Sequence, residues 1–181
     1  MNASRFLYRS RQFWLAISTR SSRQDVELLT SILSPAQVEL FQRMQKSEQT
    51  HSLVVLNELM NQGEENPDLL TAALLHDVGK TQAPLRIWER VLIVVVRAFC
   101  QDCVQKWGAS MDGNPETAKG WRRVFIVAEQ HPIWGADLAA ERGTSPLAVS
   151  LIARHQEQIP PEASSIEDNL LRTLQTVDDN N

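Results

Sequence analysis

Four histidines offer the clearest chemistry in this sequence, because each is placed on a helix to face the interior of the protein. They are His51, His76, His131 and His155, and the 181-residue chain has no others. Each lies in line with apolar residues that are spaced as on one side of a helix. A single inward histidine is more often a hydrogen-bonded core residue, but burying four titratable rings is costly unless something organises them. Imidazole is the commonest metal ligand in proteins, so the set predicts a metal site.

Two aspartates are placed to complete such a site. Asp77 directly follows the second histidine, near the predicted end of a helix. Adjacent residues on a regular helix point about 100° apart, so both can reach one cation only if the helix loosens, and we expect Gly79 to supply that freedom. Asp178 lies four residues after Leu174 and faces the core, whereas the spacing of Asp179 places it toward water. Periodicity therefore selects Asp178 as the second carboxylate ligand.

The elements that must hold these residues read as one helix after another. A long helix is predicted for residues 85 to about 106, and breaks are predicted at Pro132 and Pro160. No convincing alternation of the kind typical of strands is present, so the predicted class is all-α. Helix starts are predicted at five capping residues, most of them followed by proline or by a capping-box acid: Ser34, Ser47, Asn66, Ser145 and Ser165.

Residues 25–181 are long enough for a single domain, and residues 1–24 are interpreted as an N-terminal helical extension. This extension carries five arginines and no acidic residue, and Phe6, Phe13 and Trp14 fall roughly on one helical face. A basic amphipathic helix can act as a transit peptide or lie on a membrane surface. The interpretation that we favour is a helix that docks on the domain or on a second subunit.

Composition argues against several classes of protein. The net charge of −4 argues against a dedicated nucleic-acid binder. The longest apolar run, residues 91–96, is far shorter than the roughly 20 residues that a transmembrane helix needs. The two cysteines, Cys100 and Cys103, are interpreted as structural residues one turn apart on one helix, rather than as a redox or zinc motif. Their low number favours a reducing compartment, and we expect a cytoplasmic protein.

The order of the chemical residues resembles that of the HD superfamily of metal-dependent phosphohydrolases, which have a histidine, a His-Asp pair and a distant aspartate. The matching residues here are His51, His76 with Asp77, and Asp178. The segment ALLHDVGK, residues 73–80, is similar to the central motif of the superfamily throughout. The resemblance covers roughly residues 30–181, and it implies an HD-domain helical bundle.

Two further segments resemble the two-metal branch of the superfamily, which includes HD-GYP proteins. They are His131-Pro132 with Gly135, and His155 with the residues after it. HD-GYP proteins carry paired histidines before a glutamate, whereas Gln156 stands in place of one of them here. The Gly-Tyr-Pro signature is also absent. The resemblance therefore implies a capacity for two metal ions, and it does not extend to the hydrolysis of cyclic di-GMP.

The resemblance also assigns expected roles. Asp77 and Lys80 are the expected catalytic residues, with Lys80 on the substrate phosphate or on the water shell of the metal; its alternative role is pairing with the helix C-terminal dipole. For Glu48 three roles are open: a partner of the His51 imidazole, an extra metal ligand, or a surface residue, and the surface position is favoured. For Arg122 and Arg123 two roles are open: binding a phosphate group, or lying in solvent with no such role. One or two divalent ions of Mn, Fe, Zn or Ni are expected at His51, His76, Asp77 and Asp178, and at His131 and His155 with Asp77 bridging.

Two functions stay open at this point. The first is a metal-dependent phosphohydrolase that acts on a nucleotide or another phosphate mono- or diester. The second is a catalytically inactive HD-type module that regulates or binds a ligand. The complete His-Asp set favours the enzyme, because a degenerate member would be expected to lose part of it. The expected partner is a small phosphorylated substrate, and a homodimer is an open alternative to a monomer.

Overall fold

The part of the chain that the structure describes folds into helices. A computed structural model describes residues 23–109, 114, 116 and 119–181. These residues form nine α-helices, one 3-10 helix (Val78–Gln82) and no strand, so the predicted all-α class is confirmed. The α-helices in chain order are α1 (Arg23–Ile32), α2 (Pro35–Gln42), α3 (Lys46–Asn61), α4 (Pro67–Leu75), α5 (Ile87–Phe99), α6 (Gln101–Gly108), α7 (Arg123–Glu141), α8 (Pro146–Arg154) and α9 (Ile166–Asn180).

The N-terminal extension predicted for residues 1–24 lies almost wholly outside the described residues. Only residues 23 and 24 of that stretch are described, as the start of α1. Within the described part of the chain, none of the helices has the length and apolar character needed to cross a membrane.

Four of the five predicted helix starts carry the expected cap. The side chains of Ser34, Asn66, Ser145 and Ser165 each accept a hydrogen bond from a backbone N–H of the first turn. The start predicted at Ser47 was wrong, because the N-cap of α3 is Gln45, two residues earlier. These caps fix the entry of the helices that carry the site, since each one satisfies a donor that the helix itself leaves free.

Two apolar clusters form the interior. The larger one joins α1 to α4 with α8 and α9 and contains the fully buried Leu56, Leu74 and Leu174. The smaller one lies around α6 and α7 and includes Phe125 and Trp134. Helix α7 also packs on the 3-10 helix and on α8. The 3-10 helix and α7 therefore meet where the two clusters adjoin.

The break predicted at Pro132 was wrong, because α7 runs through it. A proline has no N–H to donate to the carbonyl four residues earlier, which here belongs to Ala128. The ring nitrogen Nδ1 of His131 lies 3.0 Å from that oxygen and 2.9 Å from the oxygen of Val127. The imidazole thus supplies the missing donor, and the helix continues.

The single long helix predicted for residues 85–106 was also wrong. Helix α5 ends at Phe99 and α6 begins at Gln101, with Cys100 between them at φ −155° and ψ 80°. Cys100 and Cys103 form a disulfide bond, so the two cysteines do not lie on one regular helix. The break at Cys100 gives this part of the chain a corner, and α6 can then pack on α7.

Candidate metal centre

The His-Asp pair lies at the corner where α4 meets the 3-10 helix. Helix α4 ends at Leu75, His76 is its C-cap, and Asp77 has φ −94° and ψ 0°, outside regular helical geometry. On a regular helix the two side chains would point about 100° apart. Because the helix ends here, Nε2 of His76 and Oδ2 of Asp77 come within 3.7 Å of each other.

Gly79 serves close packing, so the expectation that it loosens the helix was wrong. Its φ is not positive, which means that no special backbone freedom is used. A Cβ at this position would lie 1.9 Å from the carbonyl oxygen of His131 and 2.6 Å from the backbone nitrogen of Gly135. The missing side chain lets the 3-10 helix rest directly on α7, and this contact brings Asp77 to His131.

Three other helices deliver the remaining predicted ligands to the same place. His51 lies in α3, His155 is the C-cap residue of α8, and Asp178 lies in the last turn of α9. His76, His131 and His155 are buried, whereas the side chains of His51 and Asp178 stay 29% and 24% exposed. Asp179, the neighbour that periodicity rejected, is exposed.

The structure brings all six predicted ligands together in two adjoining groups. The first group is His51, His76 and Asp178, and the second is Asp77, His131 and His155; within each group the ligand atoms lie within 4.8 Å of one another. Oδ1 of Asp178 is 2.6 Å from Nε2 of His51 and 3.5 Å from Nε2 of His76. Oδ1 of Asp77 is 3.3 Å from Nε2 of His131. Asp77 also stands beside His76, so it adjoins both groups.

The three buried imidazoles are held in the orientation of metal ligands. Each places Nδ1 within 2.8–3.0 Å of a carbonyl oxygen of its own helix, and for His76 and His155 these belong to Ala73 and Ile152. A carbonyl oxygen only accepts, so Nδ1 carries a proton, and Nε2 is the nitrogen that presents a lone pair when the ring is neutral. Nε2 of His76 lies 3.7 Å and 3.5 Å from the carboxylates of Asp77 and Asp178, and Nε2 of His131 lies 3.3 Å from Asp77.

Two features of these nitrogens fit a bound cation. Nε2 of His76 is buried and has no hydrogen-bond partner among the described residues. Nε2 of His131 and Nε2 of His155 lie 3.3 Å apart, so two neutral rings would point their lone pairs at each other. A cation can accept several lone pairs at once. Bound at Nε2 of His76 it would give that atom a partner, and bound at His131 and His155 it would separate their facing lone pairs.

The protonation of His131 and His155 favours such binding. Burial lowers the pKa of His155 to about 3, and the nearby imidazoles of His131 and His76 add to this effect. Burial, together with the positive charge of Lys80, also lowers the pKa of His131. Both rings are therefore neutral at physiological pH, which is the form that binds metal.

Both carboxylates of the site stay charged. Burial alone would raise the pKa of Asp77, but Lys80 and His76 hold it well below its usual range. Burial likewise opposes ionisation of Asp178, yet His76 and the hydrogen bond from His51 lower its pKa. In return, the two carboxylates outweigh burial and raise the pKa of His76 to about 9, so a metal ion that binds this ring displaces a proton from Nε2. The donor set combines two negative charges with imidazole nitrogens, which suits a divalent transition metal.

Lys80 lies in the 3-10 helix and donates a hydrogen bond of 2.6 Å to Oδ2 of Asp77. Its side chain is 25% exposed, and it lines a small cavity together with Arg90, Ile93 and His131. The ammonium group therefore stands between the carboxylate of Asp77 and open space, rather than only at the end of a helix dipole.

Glu48 is a second buried acid beside the site, so the favoured surface position was wrong. It is 3% exposed, and its carboxylate pairs with Arg90 at 2.7 Å. Burial raises the pKa of Glu48, while Lys80 and Arg90 oppose that rise. Arg90 also donates to Gln45 and Ser47, which ties α5 to the start of α3. Glu48 and Arg90 are 42 residues apart in the sequence, and the only sequence signal for this pair was an arginine directly before an apolar run.

Arg122 and Arg123, left open between phosphate binding and solvation, have structural partners. Arg122 donates to the carbonyl oxygens of Trp107 and Ala109. Arg123 donates to the carboxylate of Glu89 at 2.8 Å. Both guanidinium groups hold α7 against the preceding helices, and neither one lines the clefts at the metal ligands.

A cleft of about 760 Å³ opens onto the site. His155 and Asp178 form part of its wall, and Arg97, Gln156 and Arg172 are among its other lining residues. None of these last three was a candidate from the sequence. Arg97 and Arg172 lie away from the matched motifs, and Gln156 was noted only because it stands in place of a histidine. The cleft gives a molecule of moderate size a route to the ligand atoms.

Comparison with known families agrees with this geometry. The sequence model of the family described as HD domain matches residues 49–178, a span that contains all six of the clustered histidines and aspartates. The chain belongs to the HD domain family. Membership places this HD domain in a superfamily of metal-dependent phosphohydrolases. No curated protein and no solved structure was found to match the chain.

Proposed function

We propose that this HD domain is a metal-dependent phosphohydrolase that acts on a nucleotide or another phosphate mono- or diester. The observation that carries the proposal is the buried Nε2 atom of His76, which lacks a hydrogen bond and stands 3.7 Å and 3.5 Å from the carboxylates of Asp77 and Asp178. A buried polar atom without a partner costs about 1–3 kcal/mol. A metal ion bound at this atom offsets that cost.

The proposed ligands follow the two groups of donor atoms. One ion would be held by His51, His76 and Asp178 with Asp77, and a second by His131 and His155 with Asp77 between the two. The position of Asp77, with one oxygen toward His76 and the other toward His131, supports a bridging role. Mixed nitrogen and oxygen donors suit Mn, Fe, Zn or Ni.

The residues of the chain can then carry out the parts of a hydrolysis that a protein supplies. When bound, ions of this kind polarise a phosphoryl oxygen and lower the pKa of a water molecule. Asp77 holds its charge beside Lys80 and so keeps the ammonium group at the ligand cluster. Lys80 stands at the open side of that cluster, where its positive charge can stabilise negative charge that develops on a phosphate.

The cleft beside the site supports a small phosphorylated substrate. Gln156 and Arg97 line it, with the guanidinium of Arg97 3.6 Å from Glu129. By contrast, Arg172 and Gln175 in the same wall donate to backbone carbonyl oxygens. Guanidinium and amide groups donate hydrogen bonds, and phosphate and sugar oxygens accept them. A small phosphorylated molecule is therefore the substrate class that we propose.

The experiment compares purified wild-type protein with Asp77→Ala and with Asp137→Ala, an exposed aspartate of α7 that serves as the matched control. Metal content is measured by mass spectrometry. Hydrolysis is then screened on nucleoside phosphates, cyclic nucleotides, dinucleoside polyphosphates and a generic aryl phosphate. We expect the wild type and Asp137→Ala to retain transition metal and to release phosphate, and Asp77→Ala to lose both properties.

Two outcomes would contradict the proposal in different ways. Full metal occupancy and activity in Asp77→Ala would show that the assigned site is wrong. Normal metal binding in the wild type without turnover of any phosphate ester would favour the catalytically inactive regulatory module instead.

A further inference from the structure

Helix α5 presents a continuous apolar face to solvent. On the opposite side of the helix, Ile93 and Val96 pack against the smaller core cluster. Scattered apolar residues are normal on a protein surface, but a contiguous patch of this extent marks an interaction site. Seven of the 13 residues of α5 are large apolar side chains that are 37–89% exposed: Ile87, Trp88, Val91, Leu92, Val94, Val95 and Phe99.

The arrangement of these side chains fits a second helix. They fall on an arc of roughly 160° when successive residues are placed 100° apart. Rows of residues four apart form ridges that pack into the grooves of a partner helix, and this is the commonest class of helix pairs. Three such rows lie side by side on α5: Ile87–Val91–Val95–Phe99, Trp88–Leu92 and Val94–Ala98.

The charges near this face favour a protein partner over an anionic lipid surface. Arg90 and Arg97, along one edge of the face, pair with Glu48 at 2.7 Å and with Glu129 at 3.6 Å. Helices that lie on membranes usually carry many basic residues on the polar face, free to meet lipid headgroups. The chain also has a net charge of −4, which an anionic membrane repels.

The apolar area exposed on α5 supplies most of what a stable dimer buries. An aromatic side chain offers about 150–250 Å², so the exposed parts of Trp88 and Phe99, 58% and 89%, contribute about 300 Å². The five aliphatic side chains contribute about as much again. This gives roughly 600 Å² from α5 alone in each copy, close to the roughly 800 Å² per partner of a standard specific interface.

We propose that a second copy of this chain covers the apolar face of α5, in an isologous homodimer that packs α5 against α5. Such a pair uses the same ridges on both subunits, as a two-fold axis requires. The inference does not depend on the proposed phosphohydrolase activity. It does bear on the metal centre, because Arg90 and Arg97 of the same helix line its clefts.

The test is the mass of the full chain in solution, measured by light scattering during gel filtration across a dilution series. The wild type is expected at about 41 kDa, twice the 20.5 kDa of one chain. The double variant Val91→Glu, Val95→Glu is expected at half that mass with unchanged helicity by circular dichroism. Phe99→Glu, at the end of the face and 89% exposed, provides a second variant with the same expected result.

The matched control is Ile166→Glu, which places the same charge on another exposed isoleucine, 78% exposed at the start of α9, and should leave the dimer intact. A wild type that is monomeric at every concentration overturns the proposal. So does a dimer that survives both variants of α5, because another surface must then form it. A monomer that sediments with phosphatidylserine vesicles also overturns it and assigns the face to lipid.

Discussion

Replacing Gly79 by alanine tests how the fold positions the metal ligands. The added Cβ would lie 1.9 Å and 2.6 Å from two backbone atoms of α7, whereas ordinary contact begins at 3.4 Å. Neither atom belongs to a flexible side chain, so the 3-10 helix and α7 must move apart by about 1 Å or more. Overpacking of this kind costs about 3 kcal/mol, which lowers the melting temperature of a domain of this size by about 6–12 °C.

The same movement separates Asp77 from His131, so Gly79→Ala should also bind metal about tenfold more weakly. Thermal unfolding by circular dichroism and metal titration measure the two effects. The control is Gly63→Ala, where no atom lies within 4 Å of the new Cβ and only the positive φ of 86° is strained; it should lose about 1–2 kcal/mol and keep its metal affinity. Equal melting temperatures and equal metal affinities in the two variants would refute the packing argument.

Three further predictions concern the surroundings of the site. Arg90→Ala leaves the buried carboxylate of Glu48 without its ion-pair partner and should lower the free energy of unfolding by about 3 kcal/mol, as urea denaturation would measure; an unchanged midpoint would contradict the assigned burial. A hydrogen bond from Ser150 and the charge of Arg154 lower the pKa of Glu167 from 4.5. Its stabilisation is therefore present above that pH and is lost as the pH falls, so Glu167→Gln should be less stable than the wild type by about 0.5 kcal/mol near neutral pH and equal to it in acid. Alkylation of the denatured, unreduced protein should label neither cysteine, and two labelled thiols would contradict the disulfide.

The local signals in the sequence were sufficient to select most of the residues that the fold brings together at the candidate site. The helical spacing of His76, His131 and His155 placed them in the interior, and all three are buried. The same reasoning separated Asp178 from Asp179, because a helix turns by about 100° per residue and only one of two neighbours can face the core. The capping residues marked four helix starts because a cap is a contact within one turn of the chain.

The errors arose where distant residues decide the local structure. Pro132 alone predicts a break, and only the folded position of the His131 ring shows which donor replaces its missing N–H. A glutamate such as Glu48 normally faces water, and its partner Arg90 lies 42 residues away. Gly79 was correctly singled out, but its role depends on the backbone of α7, which the sequence alone does not place beside it.

The most direct test of the account is anomalous diffraction from crystals of the full chain grown with Mn²⁺. The account predicts an anomalous peak bounded by His51, His76 and Asp178. If a second ion is bound, its peak is predicted between His131 and His155, next to Asp77. Peaks elsewhere, or manganese-saturated crystals with no peak among these side chains, would contradict the claim that they form a metal centre.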